Sequence, residues 1–301
     1  MTEAFTLAPY APSHRGDYLR LLADAWGDRA LSGEELDWWF DGDPEGSVRS
    51  VVLRDGEVVG VAGHHFVRLR LEGKEVLGQL SVHAVTAPAA RGRGIFRALE
   101  LRHEDEGRAR GSACVLAFAS ASTRELFLGP LGFTRIDRRR VWARLAPVGR
   151  RGRRLVRFDA RHERAYVAQA TRWANHVVRS LPYLEWRYLR SPRAYRGLEV
   201  PGGGFAVVGS ARWRGLRVGV LLELVAAPDE APSLLRAALA EARGCVALLA
   251  VPTPCLPRRL LLRHGFVPTR YRLDLVGKAL ARPLDARSRA WTVSLGDTDF
   301  F

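Results

Sequence analysis

Apolar residues recur along this chain in two rhythms, one of period 2 and one near 3.6, and their succession lays out the elements. Phe5-Thr6-Leu7-Ala8-Pro9 alternates as a first strand. Over 14–26, Tyr18, Leu21, Leu22 and Ala25 recur at helical spacing, and 34–40 forms a short second helix carrying Trp38 and Trp39. Two apolar runs, Ser50-Val51-Val52-Leu53 and Val58-Val59-Gly60-Val61-Ala62-Gly63, flank Arg54-Asp55-Gly56-Glu57. Asp-Gly between apolar runs supplies the two positive-φ residues of a tight hairpin turn. A second hairpin turns at Glu72-Gly73-Lys74 and ends in Leu80-Ser81-Val82-His83-Ala84-Val85-Thr86. A helix over 95–110, a strand over 114–119, a short helix before Leu131-Gly132-Phe133 and a strand over 134–145 complete the order β, αα, βββ, α, β, α, β.

A Pro/Gly/Arg segment, Pro147-Val148-Gly149-Arg150-Arg151-Gly152-Arg153, interrupts the pattern, which then restarts. The second half reads as helix over 158–180, helix over 184–189, strands over 205–212 and 216–226, helix over 233–243, strand over 245–251, helix over 257–264 and strand over 271–276. The halves overlay: Cys114-Val115-Leu116-Ala117 on Cys245-Val246-Ala247-Leu248, Gly132-Phe133 on Gly265-Phe266, and Pro88 on Pro228. The expectation is an α/β fold (α+β with mixed sheets) in two tandem domains, 1–147 and 154–277. A tail, 278–301, rich in apolar and aromatic residues, folds back onto the body.

Composition narrows the class. At 301 residues the chain is long enough for two ordinary domains, and 47% hydrophobic content excludes wholesale disorder. No apolar run reaches the length of a membrane span, and the first residues lack a leader's basic start and apolar core. Cys114, Cys245 and Cys255 make a poor disulfide framework, and no His/Cys cluster has metal-ligand spacing. A cytoplasmic protein without a metal is expected. The net charge of +15 is almost wholly arginine, lysine occurring only at Lys74 and Lys278. The densest cluster runs from Arg135 to Arg154. It reads as a solvated hairpin face and connector, or as a site for an anionic partner. No helix-turn-helix, zinc finger or RNA-binding aromatic motif accompanies it, so nucleic acid is not the expected partner.

One short run carries the chemistry: Ala87-Pro88-Ala89-Ala90-Arg91-Gly92-Arg93-Gly94-Ile95-Phe96, between a strand and a helix. Two glycines one residue apart allow a sharp turn and close backbone approach to a ligand. The helix start offers unpaired N–H groups and the positive end of its dipole, a setting for a pyrophosphate, with Arg91 and Arg93 beside it. No Gly-Lys-Ser/Thr follows, which excludes a P-loop, and the third glycine of a dinucleotide fingerprint is missing. The second half has Asp229-Glu230-Ala231-Pro232-Ser233 at the matching place. Its carboxylates would repel a pyrophosphate, and its proline lacks an N–H.

Pro-x-x-Arg-Gly-x-Gly-Ile, followed by a strand and by Leu131-Gly132-Phe133, resembles the acetyl-coenzyme A loop of the GNAT (GCN5-related) N-acetyltransferases. The resemblance covers roughly 5–146 and implies two tandem GNAT-like domains with the coenzyme A loop only in the first, the second being degenerate. It implies transfer of an acetyl group from acetyl-CoA to an amine of a small molecule or peptide, by direct attack on the thioester. It also implies a cofactor-binding set: Val85, Thr86 and Ala87 on the fourth strand, then Arg91, Gly92, Arg93, Gly94, Ile95 and Phe96. The residues themselves make His83 the leading general base. It sits on the strand entering the loop, and regular alternation puts Gln79 and Ser81 on its face. His64 and His65 are weaker alternatives. Trp26, Trp38 and Trp39 lie where the family builds acceptor pockets, while Glu100, Glu104, Asp105 and Glu106 read as a solvated helix face. The family's usual acid, a tyrosine five residues before the Phe of Leu-Gly-Phe, is replaced here by Leu128. That departure leaves open a non-catalytic coenzyme A-binding or regulatory module. In the tail, Asp297, Asp299 or the terminal carboxylate stand as possible contributors to the site.

Overall fold

The computed structural model describes residues 5–213, 215–281, 283–285, 287 and 290–300. Arg214, between the strands expected over 205–212 and 216–226, and the terminal carboxylate of Phe301 lie outside the described residues. The chain divides into two compact units. Unit 1 comprises Met1–Arg68, Val76–Arg135 and Leu275–Asp285; unit 2 comprises Leu69–Glu75, Ile136–Asp274 and Ala286–Phe301.

The elements of the first half are β1 (Phe5–Pro9), α1 (Arg15–Trp26), α2 (Gly33–Phe40), β2 (Ser47–Arg54), β3 (Glu57–Leu71), β4 (Lys74–Thr86), α3 (Ile95–Ala109), β5 (Cys114–Ala119), α4 (Arg124–Leu128) and β6 (Thr134–Leu145). In unit 1, β1 pairs antiparallel with β2 and β2 with β3. β4 runs parallel to β5, from Gln79 opposite Val115 to Ser81 opposite Ala117. The β2–β3 turn places Asp55 and Gly56 at φ 51° and 85°, as the Asp-Gly signal requires. α2 begins at a capping box: Glu35 N–H donates to Ser32 Oγ at 3.1 Å, and Ser32 N–H donates to Glu35 Oε2 at 2.8 Å.

Two glycines of β3 show how the sheet takes a helix on each face. A Cβ on Gly60 would lie 2.5 Å from Ile95 Cγ2 of α3, and one on Gly63 would lie 2.2 Å from the Phe40 ring of α2. From Gly60 to His65, even positions of β3 therefore face α3 and odd positions face α2, while Val59, the extra residue where the register with β2 shifts, joins the α3 side. On the α3 side, Val52, Val59, Ala62, Ala90, Ile95 and Leu99 form one core cluster. A second gathers Val115, Ala117, Phe127, Leu131, Phe133 and Val276.

Later elements are β7 (Arg153–Arg154), α5 (Ala160–Ala170), β8 (Asn175–Val177), α6 (Leu181–Leu184), β9 (Arg196–Glu199), β10 (Phe205–Trp213), β11 (Leu216–Val225), α7 (Ala231–Glu241), β12 (Ala247–Ala250), α8 (Arg258–Arg263) and β13 (Val267–Ala279). In unit 2 the order β7–β9–β10–β11 is antiparallel, β11 runs parallel to β12, and β12 pairs antiparallel with the Trp142–Leu145 end of β6. The segment 290–300 lies in this unit, with Trp291, Val293 and Leu295 buried. Buried Arg179 donates from Nε to Glu223 Oε2 at 2.7 Å and from Nη2 to Ser294 Oγ at 3.1 Å, and its Nη2 lies 2.8 Å from Asp297 Oδ1. Arg187 donates to the carbonyls of Gly296 and Thr298. Burial pushes the Glu223 carboxyl up against the pull of Arg179. Within this cluster, loss of one partner would leave a buried charge uncompensated.

Three expectations change. The division does not fall at 147–154: Ile136 onward in β6 belongs to unit 2, and Leu275 onward in β13 belongs to unit 1. The Pro/Gly/Arg segment is no free connector. A Cβ on Gly149 would lie 2.0 Å from Arg236 O on α7, and Ala146 N–H donates to Val246 O. Helix does not run through 158–180. It ends at Ala170, and Asn175–Val177 is strand β8, paired with the β3 segment Leu69–Leu71. β-branched Val177 favours the strand, and Asn175 Oδ1 accepts from Glu72 N–H.

Candidate functional site

The strand–loop–helix corner of unit 1 is shaped by two left-handed glycines. Gly92 and Gly94 have φ 75° and 76°, and a Cβ on either would meet nothing within 4 Å. Space is therefore open above both. Gly94 is the N-cap of α3 and provides no side-chain cap. The first helical bond is Ala98 N–H to Gly94 O, so the N–H groups of Ile95, Phe96 and Arg97 have no acceptor within the helix. Ile95 is buried and Phe96 packs edge-on against Phe127 at 5.4 Å, so these two offer backbone rather than side chain. Arg91 and Arg93 are exposed, and Arg91 Nε donates to Thr86 O at 3.3 Å. A helix N-terminus framed by glycine and arginine is a place for phosphate. The residues present fit a coenzyme A pyrophosphate.

Beside this corner the parallel strands part. The β4–β5 ladder ends at Ser81 opposite Ala117, while β4 continues to Thr86 and β5 to Ala119. Val85 is buried, and Ala87 N–H donates to Val59 O at 2.8 Å, so that N–H serves the sheet.

His83 departs from strand geometry inside β4. Its φ is 52°, and among described non-glycine residues it alone combines a positive φ with a strand interior; the others are Asp55, Glu72, Ala146 and Ala194. The left-handed region is costly for a side chain, and such outliers gather at functional positions. The consequence corrects the expected faces. Gln79 Nε2 donates to His103 O, and Ser81 Oγ donates to Glu100 Oε1, both on the α3 side. His83 faces the other way, 5.9 Å from Trp26, 5.4 Å from Trp39 and 6.0 Å from Phe40, ring centre to ring centre. Gln79 and Ser81 do not share its face.

That face holds a second histidine. His65 stacks on Phe40 at 5.1 Å, lies 4.8 Å from Trp39, and has Nδ1 2.7 Å from Asp43 Oδ2. Carboxylate and imidazole are almost fully buried. The sequence pattern makes His65 a weaker candidate than His83 and gives no sign of Asp43, which lies in a loop 22 residues away. Two adjacent histidines on an apolar strand, pointing to opposite faces, were the available signal.

The opposite face corrects the acidic helix. Glu100 and Glu104 are 0% exposed. Glu100 meets His64 Nε2 at 3.1 Å, and Glu104 accepts from Lys278 Nζ at 2.7 and 2.8 Å. Only Asp105 and Glu106 keep solvent access. His103 donates or accepts at Ser50 Oγ, 3.0 Å away, and burial with His64 alongside holds its pKa well below the ordinary histidine value.

Leu128 is half-buried against the Phe127–Phe133 cluster. Unit 1 holds two tyrosines, Tyr10 and Tyr18, whose rings lie 5.6 Å apart. Tyr18 is fully buried, which pushes its pKa up. In unit 2, Asp297 accepts from Ser294 N–H at 2.8 Å and pairs with Arg179.

Residues 7–136 match the family model described as an acetyltransferase (GNAT) domain. No curated protein matches the sequence. Among solved structures, a GCN5-related N-acetyltransferase from Kribbella flavida is similar at 18% identity and TM-score 0.62, over 93% of this chain and 72% of that one. One from Anabaena variabilis is similar at 13% identity and TM-score 0.65, over 92% and 73%. Saccharomyces cerevisiae N-myristoyltransferase with bound myristoyl-CoA is similar at 12% identity and TM-score 0.68, over 97% and 86%. At such identities the likeness is one of fold. Glycine corner, parted strands and matched family model together make residues 7–136 an acetyltransferase (GNAT) domain.

Proposed function

We propose that the chain is an N-acetyltransferase whose unit 1 binds acetyl-CoA and passes the acetyl group to an amine of a small molecule or peptide. The observation that carries this is the open, glycine-framed start of α3, together with a histidine at φ 52° on the strand that leads to it. Acetyl-CoA supplies an acyl thioester, which an amine attacks directly with loss of the thiol. The N–H groups of Ile95 and Phe96, with Arg91 and Arg93, hold the phosphates at the positive end of the helix. Val85 and Thr86 lie on the part of β4 beyond its ladder with β5, and they line the pantetheine arm. His83 takes a proton from the acceptor ammonium, which leaves the neutral amine that attacks. Trp26, Trp39 and Phe40 give an acceptor amine an aromatic, water-poor surround in which a cation is favoured over a ring face. With leucine at 128, no side chain is assigned to protonate the leaving thiolate, which departs as the anion, and the second proton lost by the nitrogen passes to solvent.

We read unit 2 as a degenerate copy of the same domain that binds no coenzyme A. The support is a parallel pair, β11 and β12, joined by α7 as β4 and β5 are joined by α3. Three free, buried cysteines support a cytoplasmic setting. The second reading is a module that holds coenzyme A without turnover; the packing of Leu128 where the family has tyrosine favours it. Free-thiol release across a panel of primary amines separates the two. Turnover of at least one amine supports the enzyme, and tight coenzyme A binding with no release from any acceptor supports the module.

A further inference from the structure

The arginine cluster that the sequence displays around 135–154 is split by the fold. Arg139 pairs with Asp137, Arg138 with Asp274, and Arg153 with Glu199. Arg144 and Arg150 have no such partner. They meet two arginines from distant parts of unit 2, Arg236 of α7 and Arg263 at the end of α8, around a cavity of about 510 Å³. His264 also lines it, with Nδ1 3.0 Å from Leu260 O. No carboxylate lines this cavity, and among the described residues none pairs with any of the four arginines.

Four arginines from separate elements line one opening, where like charges repel, and no carboxylate lines it to offset them. A bound anion would do so. The cavity is larger than one small anion needs and within the range of small-molecule sites. Guanidinium is matched to phosphate oxygens, which it grips through two parallel N–H bonds. Val148 and Leu239 form an apolar wall beside the charges, and Val148 is 63% exposed. Gly149 brings the chain directly against α7 and so keeps Arg150 and Arg236 at one rim.

We infer that unit 2 carries a binding site for a multiply phosphorylated small molecule, formed by Arg144, Arg150, Arg236 and Arg263. It is separate from the α3 corner and independent of the activity proposed for unit 1. Four arginines gathered at one open pocket favour a compact oligophosphate over an extended polyanion, which would need a basic track.

The test is calorimetry of the full chain with inorganic tripolyphosphate, at fixed ionic strength, in the Gly94→Glu background that disables the α3 corner. One equivalent per chain is expected, bound at least tenfold more tightly than sulfate. The double variant Arg236→Glu/Arg263→Glu, both side chains being exposed, should weaken binding at least tenfold with an unchanged melting temperature. Arg150→Ala should weaken it by a smaller factor. Equal affinity for sulfate and tripolyphosphate, or binding indifferent to the double variant, overturns the site. A single-stranded oligonucleotide bound more tightly through the same arginines overturns the small-molecule class in favour of nucleic acid.

Discussion

Two helices in this protein follow a strand and lead to its parallel neighbour, and they begin in opposite ways. α3 begins at Gly94 in the left-handed region, with no side-chain cap and with open space above both loop glycines. α7 also has no side-chain cap, but the chain takes up its first N–H groups: Ala231 N–H donates to Ala227 O, and Ser233 N–H donates to the carbonyl of Glu230, whose carboxylate turns back to the residues before the helix. Ala227 N–H donates to its Oε2 at 3.4 Å, and a Cβ on Gly202 would lie 2.1 Å from its Oε1. Pro232 removes one further N–H from the first turn. The dipole and the unpaired N–H groups are properties of any helix start. What differs is whether the chain satisfies them itself or leaves them to a ligand.

Giving α3 the N-cap residue of α7 should produce the largest effect. Gly94→Glu places a carboxylate where the phosphates of coenzyme A would lie. The protein around it offers no clash, so the fold should pay only the cost of about 1 kcal/mol for a side chain at positive φ. Calorimetry should then find no measurable acetyl-CoA binding, with thermal unfolding still cooperative. Retained affinity would mean that the α3 corner is not the phosphate site.

The next effect concerns turnover rather than binding. His83→Gln should lower kcat about 10²–10⁴-fold, the usual range for loss of a general base, with acetyl-CoA affinity little changed. Steady-state kinetics checks this. Full activity in the variant would shift attention to His65, which is held by Asp43 on the same face.

Each unit also carries a buried neutral histidine, and here the two should behave alike. In unit 2, burial and then Arg179 lower the pKa of His176 to about 3, and Tyr166 Oη lies 2.9 Å from its Nε2. The unfolded chain binds a proton at that histidine below about pH 6.5, while the folded chain does not until near 3. Stability is therefore complete above about 6.5 and falls with pH below it, by up to about 1.4 kcal/mol per unit from this residue. His103 in unit 1 adds a fall of the same sign. Urea midpoints from pH 7 to pH 5 should decline, and His176→Gln should flatten the decline. An unchanged slope in the variant would show that His176 titrates normally in the fold.

How much of this was legible beforehand depended on whether the determinant was local. The Gly92–Gly94 corner was readable because positive φ and an uncapped helix start are properties of a few consecutive residues. The Asp55–Gly56 turn was readable for the same reason. The face of His83 was not, because period 2 assumes an unbroken strand and one residue at φ 52° reverses it. The helix carboxylates were misread because their partners come from afar. Lys278 reaches Glu104 across 174 residues, and Ser81 and His64 come from two strands to Glu100. The unit division was hidden because β6 and β13 each contribute residues to both units, which no shift in composition records.

The central claim is that of two similar helix starts only α3 is built for coenzyme A, and stoichiometry tests it most directly. Titration of the full chain with acetyl-CoA should give one site per chain, abolished by Gly94→Glu and untouched by Glu230→Gln. Two equivalent sites, or one site that survives Gly94→Glu and is lost with a change at Glu230, would contradict it.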